Sequence, residues 1–205
     1  MSTPTWPPAD ISPTELFETW LPAEAARLRA AHPDAPAPDV SADITVSGEG
    51  GGTWRLASRG SELSVTAGPE GTADLGVELS VDVLRAVLDP DSGLVPRDAA
   101  GSAGTAPPID LMIAGPLVEQ ARTLAGRLTF RLTGFRGSDL SLALTFGGAT
   151  TPDSTISVGA DVMEQIRSGA LPPAQAYFSG QILIEGDPAF AMQVAMSMMA
   201  AGQQK

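Results

Sequence analysis

A catalytic or metal site needs nucleophiles, bases or ligands at defined spacing, and this sequence offers few. It contains no cysteine, which excludes thiolate catalysis, disulfides and cysteine-ligated zinc or iron–sulfur centres. His32 is the single histidine, so a histidine-rich metal site is excluded too. It stands beside Pro33 at an expected helix end and reads as an exposed or helix-end cation. No Gly-x-Ser-x-Gly elbow occurs. Gly48-Glu49-Gly50-Gly51-Gly52 lacks the Lys-Ser/Thr of a phosphate loop and the spacing of a dinucleotide fingerprint, and reads as a hairpin turn. Asp89-Pro90-Asp91-Ser92-Gly93 lacks the third acidic ligand, the glycine at position six and the closing Glu of a calcium loop. Arg127, Arg131 and Arg136 stand near one strand, as a solvated face or as an anchor for a carboxylate or phosphate. The remaining chemistry is apolar. Phe190, Met192, Val194, Met196, Met198 and Met199 crowd one stretch near the C-terminus. Methionine is flexible and polarisable, so such a stretch lines a cavity, fills core or meets a partner. No enzyme activity, metal or cofactor is expected.

The balance of 24 acidic against 12 basic residues gives a formal net charge of -12. That sign repels phosphate, so nucleic acid is excluded as a partner and docking on anionic lipid is disfavoured. With 43% hydrophobic and 18% charged residues, the chain has enough apolar surface to fold without staples. Aromatic residues are only 5%, so the core must be aliphatic. Its 205 residues fit one large domain or two small ones. There is no apolar run of about 18 residues for a membrane span. The N-terminal Met1-Ser2-Thr3-Pro4-Thr5-Trp6 has no secretory pattern. A soluble, cytoplasmic protein is expected, without stable membrane insertion.

The elements that must position these residues follow from periodicity and capping. Residues 1–12 read as a flexible Pro-rich arm. A first helix starts after Ser12-Pro13-Thr14-Glu15, with Leu16, Phe17, Trp20 and Leu21 as its stripe and Pro22 as a break or kink. Strands follow at Ile44–Val46, Thr53–Ser58, Leu63–Val65 and Leu75–Leu79, each alternating apolar and polar. Ser80 caps a short helix bearing Val81, Leu84, Val87 and Leu88. A loop rich in Pro, Gly, Ala and Ser covers residues 89–108. Leu111-Met112-Ile113 reads as a strand, and Leu117–Ala125 as a helix closed by Gly126. Strands at Leu128–Leu132, Leu140–Phe146 and Ile156–Val158 lead to a helix capped by Asp161. Leu171-Pro172-Pro173 reads as a loop, Ile182-Leu183-Ile184 as a strand, and Asp187-Pro188 opens the last helix. That helix is apolar almost all round, which argues against an ordinary amphipathic surface position.

The two halves match. Val77–Leu84 aligns with Ile156–Met163, and Ser92–Pro96 with Ser168–Pro172. Leu111–Pro116 aligns with Leu183–Pro188 with one-residue slips. This pattern implies two related units, 13–126 and 127–205, although common α+β grammar produces similar order.

Ser168-Gly169, Leu171-Pro172, Ala176–Gly180, Gln181–Asp187 and Ala189–Met192 together resemble the sterol carrier protein type 2 family. The resemblance is specific over about forty residues and weaker in the first half. It implies an α+β fold: a mostly antiparallel sheet with helices over one face, built here from two fused sterol-carrier-like units. It further implies non-catalytic binding or carriage of a hydrophobic ligand, such as a sterol or fatty acyl chain, in an apolar cavity. The expected lining is Leu142, Leu144, Phe146, Val162, Ile166, Tyr177, Phe178, Ile182, Ile184, Phe190, Met192, Val194 and Met196. Tyr177 and Phe178 are open between gate and core. The alternative is an accessory module that uses the fold without a ligand and meets a protein partner or a second copy.

Overall fold

Eight alternating segments build one sheet. The computed structural model describes residues 7–8, 10–31, 39–59, 62–89, 91–92, 94 and 122–202. The strands are β1 (Val40–Ser47), β2 (Gly52–Arg59), β3 (Glu62–Ala67), β4 (Leu75–Ser80), β5 (Gly126–Phe135), β6 (Ser138–Phe146), β7 (Asp153–Gly159) and β8 (Ile182–Gly186). Their order is β3-β2-β1-β4-β6-β5-β7-β8. Neighbours run antiparallel except β1 with β4 and β5 with β7, which are parallel. The fold is α+β with a mixed, mostly antiparallel sheet.

Register sends each strand's apolar residues to one side. Ile44, Val77 and Leu144 lie in one cross-strand row, and Leu142, Phe130, Ile156 and Ile184 in another. The opposite face carries Asp43, Arg55, Glu78, Arg127, Thr129 and Thr155, with ion pairs Arg55–Asp43 at 2.7 Å and Arg127–Glu78 at 2.9 Å. A one-residue slip of any strand would turn its apolar set to the polar side, so burial fixes the register.

Helices cover the apolar side. α1 runs through Pro13–Glu15, a π turn at Leu16–Trp20 and Leu21–Ala31. Pro22 does not end it. The Leu21 N–H bonds back to the Leu16 carbonyl, five residues away, and this widened turn leaves room for the proline ring. Phe17 stacks on Trp54 at 4.8 Å, and the Trp54 indole N–H donates to Glu18 at 2.9 Å. α2 (Val81–Leu88) is capped as expected: Ser80 Oγ accepts from the Val83 N–H at 3.2 Å. α3 (Ala160–Arg167), α4 (Pro173–Phe178) and α5 (Pro188–Gly202) belong to the second half.

Several local expectations change. Gly159, not Asp161, is the N-cap of α3, and Asp161 sits in the first turn. A Cβ on Gly159 would meet Asp161 Oδ1 at 2.6 Å, so that carboxylate already occupies the space beside the cap. The stretch after Leu171-Pro172 is helical as α4, because Pro173 at its first turn sacrifices no needed N–H. Gly126 does not close a helix: it opens β5, and Arg122–Ala125 before it is turn and coil. Pro7 of the N-terminal arm is buried and Ile11 packs against the core. His32, Leu111–Ile113 and the expected helix up to residue 121 lie outside the described residues.

The two halves share one strand pattern, with β3 as an extra strand in the first. A hairpin (β1–β2, β5–β6) is followed by a strand parallel to its first member (β4, β7), and that strand runs straight into a helix (α2, α3). The outer edge of β7 receives β8, and the outer edge of β4 receives β6, both antiparallel. The second half's hairpin thereby extends the first half's sheet, and all eight strands form one continuous layer.

Candidate functional site

The site is built on the apolar side of β5–β8, where α3, α4 and α5 cross. α5 is held at its start by local bonds. Asp187 Oδ1 accepts from the Ala189 N–H at 2.9 Å and the Phe190 N–H at 3.0 Å, the expected cap. The Ser154 hydroxyl, itself buried, donates to the Asp187 carbonyl, tying the helix to β7. Phe190 then lies over Gly126 and meets Phe146 edge-on at 6.2 Å. A Cβ on Gly126 would stand 2.7 Å from Phe190 Cζ, so only glycine lets the ring seat there. Ala191 and Val194 complete the buried side of α5.

α3 and α4 form a second, separate buried cluster with the sheet: Val158, Val162, Leu171 and Ala176, flanked by Leu132, Ile166 and Ile182. The sheet register places these two clusters four residues apart along each strand. Leu128 and Ser154 lie under the α5 start, whereas Leu132, Val158 and Ile182 lie under α3 and α4. The row between them is Leu142, Phe130, Ile156 and Ile184. All four face the helices, and all four are only half-buried. This inward row packs against the α5 cluster and stays only half-buried beside the α3–α4 cluster.

The thirteen residues expected from sequence divide into three groups. Leu142, Ile182 and Ile184 belong to the half-buried part of the sheet face, with Ile166 beside them on α3. Leu144, Phe146, Val162, Phe190 and Val194 are buried packing residues. Tyr177, Phe178, Met192 and Met196 are exposed, at 38%, 84%, 53% and 66%. The almost wholly apolar α5 therefore does lie at the surface: Phe190, Ala191 and Val194 face the sheet while Met192 and Met196 face out. Its two buried edges are set by contact with β7 and β8, which no periodicity in an all-apolar helix can reveal. Phe130 and Ile156 share the half-buried row but are absent from the residues expected from sequence. Their signal was present, since both sit at the apolar phase of alternating strands.

The charged groups are committed elsewhere. Arg127 pairs with Glu78 on the polar face, and Arg136 pairs with Asp89 at 2.8 Å and donates to the Asp91 carbonyl. Arg131 is exposed on the polar face of β5. Trp54 is buried against Phe17. Gly48–Gly51 forms the β1–β2 turn, with Gly48 and Gly50 at positive φ. Asp74 accepts from the Ser41 N–H at 2.8 Å and hydroxyl at 3.0 Å and pairs with Arg122 at 3.4 Å. Partial burial pushes its carboxyl up, but these bonds and the Arg122 charge outweigh that and hold it below the usual carboxylate range. Among the described residues, no group of three or more His, Asp or Glu is placed to hold a metal ion. Nor is any described helix long and apolar enough to cross a membrane.

The half-buried row lies within one segment of the chain, residues 126–186. Residues 117–198 match the SCP-2 sterol transfer family. The matched segment contains β5–β8, α3, α4 and most of α5, and with them the half-buried row. Among solved structures, the chain is similar to the sterol carrier protein domain 2 of Helicoverpa armigera, at 27% identity over 43% of this chain and 76% of that one, TM-score 0.30. It is also similar to apo sterol carrier protein 2 from Yarrowia lipolytica, at 13% identity over 43% and 78%, TM-score 0.33. Sterol carrier protein 2 like 2 from Aedes aegypti covers 89% of this chain and 94% of its own, at 13% identity and TM-score 0.21. No curated protein gives a significant match.

Proposed function

We propose that this protein binds and carries a hydrophobic small molecule, a sterol, fatty acyl chain or similar lipid, without catalysing its chemical change. The observation that carries the reading is the half-buried row Leu142, Phe130, Ile156 and Ile184 inside the segment that matches the sterol transfer family. The driving force is burial of aliphatic surface, about 0.8 kcal/mol per methylene, which needs few polar contacts. A ligand held this way lies along the row, between the α5 cluster and the α3–α4 cluster. Ile166 and Ile182 border it at one end, while Leu144, Phe146, Val162, Phe190 and Val194 support its walls. No step requires a nucleophile, metal or cofactor.

The repeated strand arrangement supports a chain of two related units, 13–126 and 127–205, with the ligand assigned to the second. A soluble, cytoplasmic location belongs to the same reading. The direct test is native mass spectrometry of the purified full chain, together with titration by a fluorescent fatty acid and a fluorescent sterol. Co-purified lipid, or saturable probe binding at one site, is expected. A ligand-free protein that binds neither probe refutes carriage and leaves the fold to serve as an accessory module.

A further inference from the structure

Charge is distributed unevenly along the chain. Between Arg167 and Lys205 the only charged residues are Glu185 and Asp187. This leaves two runs, 168–184 and 188–204, each of 17 residues without Asp, Glu, Lys, Arg or His, in a protein of net charge -12. The structure takes one of these two off the helix side and uses the other as a helix cap. Glu185 pairs in register with Thr155 on the polar face of the sheet, and Asp187 is bonded to the start of α5. α4 and α5 lie on the same side of the sheet, and both touch the edge strand β8. Their outward sides present Phe178, Met196, Met192 and Tyr177, with the Tyr177 and Phe178 rings 5.6 Å apart. Phe178 is 84% exposed and Met196 66%, more than packing against the protein's own core would leave.

Resting on the carrier reading above, we propose that this uncharged α4–α5 face docks on the surface of an electrically neutral lipid bilayer. Charge decides the occupant. Two copies of this chain meeting face to face bring two net charges of -12 together, and an anionic membrane repels the protein likewise. A zwitterionic surface carries no net charge, and an uncharged face loses no ion solvation on entering it. An aromatic ring with a polar tip beside a fully apolar one suits the boundary between headgroups and acyl chains. The contact is peripheral, since no described helix is long enough to span a bilayer.

The test is flotation of the full chain with phosphatidylcholine vesicles, compared with vesicles containing added phosphatidylglycerol, at low and high salt. Binding to the neutral vesicles is expected, unchanged by salt and weaker on the anionic ones. The double variant Phe178→Ser/Met196→Ser is expected to bind on the order of 100-fold more weakly, about tenfold for each lost side chain. Both positions are exposed, so the variant should keep the parent's melting temperature. Equal vesicle binding by parent and variant, or binding that needs anionic lipid, overturns the proposal. So does a dimer that is lost in the variant while neither protein floats, which assigns the face to a second copy. Fluorescent fatty acid binding in vesicle-free buffer separates the two readings. Normal probe binding without flotation sinks docking alone, whereas flotation without probe binding sinks carriage and leaves docking standing.

Discussion

Gly126 is a sharply constrained position in the site, at the start of the strand beneath Phe190. It opens β5 at φ +144, and an added Cβ would stand 2.6 Å from the Pro152 carbonyl oxygen and 2.7 Å from Phe190 Cζ. Gly126→Ala therefore imposes two costs. Backbone strain in a region that L-residues avoid costs roughly 1–3 kcal/mol. Displacing the Phe190 ring from a packed core costs about 1–3 kcal/mol more. A total of about 2–6 kcal/mol corresponds to a fall of roughly 4–24 °C in melting temperature for a chain of this size. The two parts separate in a double-mutant cycle with Phe190→Leu, which lacks the ring carbons that the new methyl would strike. The single variants should be less than additive by about 1–2 kcal/mol, because the Phe190 clash is lost while the Pro152 contact remains. Urea unfolding followed by tryptophan fluorescence measures each corner of the cycle. Parent-like stability for Gly126→Ala would refute the reasoning. An undiminished penalty in the Phe190→Leu background would confine it to the backbone and remove the claim that glycine seats α5.

Ile156→Trp places a large ring in the middle of the half-buried row; it should lower fluorescent fatty acid affinity at least about tenfold while leaving the fold intact by circular dichroism, and unchanged affinity would move the ligand elsewhere. Asp187→Ala removes an acceptor bonded to two backbone N–H groups. It should cost about 0.5–2 kcal/mol in urea unfolding, while Asp187→Asn should lose less. Asp74 has a folded pKa below its ordinary value, so its contribution to stability is present above the ordinary value of about 4 and is lost as pH falls through the folded one. Asp74→Asn should therefore be less stable than the parent at neutral pH and converge with it in acid; a constant difference across that range would show that the charge is not what stabilises.

Sequence determined whatever is local. Strand phase is written into pairs such as Leu128, Phe130 and Leu132, because a sheet with one wet face admits a single register. Helix starts at Ser80 and Asp187 are equally readable, since a cap bonds to N–H groups two or three residues away. The mostly antiparallel sheet with helices on one face was implied by the resemblance of the second half to the sterol carrier protein type 2 family, and the sheet is of that kind. Partner choice between strands is not local. That β6 extends β4, making one sheet of eight, depends on contacts between residues more than sixty positions apart. Gly126 reads as a helix terminator from its neighbours, and only the fold, which sets its positive φ and brings the Pro152 carbonyl and the Phe190 ring beside it, shows why glycine is required. The site divides the same way. Composition announced an apolar surface, but which residues become core, half-buried row or outer face is fixed when helices settle on the sheet. Phe190 and Val194 vanish into the core, Met192 and Met196 turn outward, and Phe130 and Ile156 remain half-covered between two clusters. Burial is a property of what arrives on top of a residue, and that information resides in the assembled layers rather than in the residue's own stretch of chain.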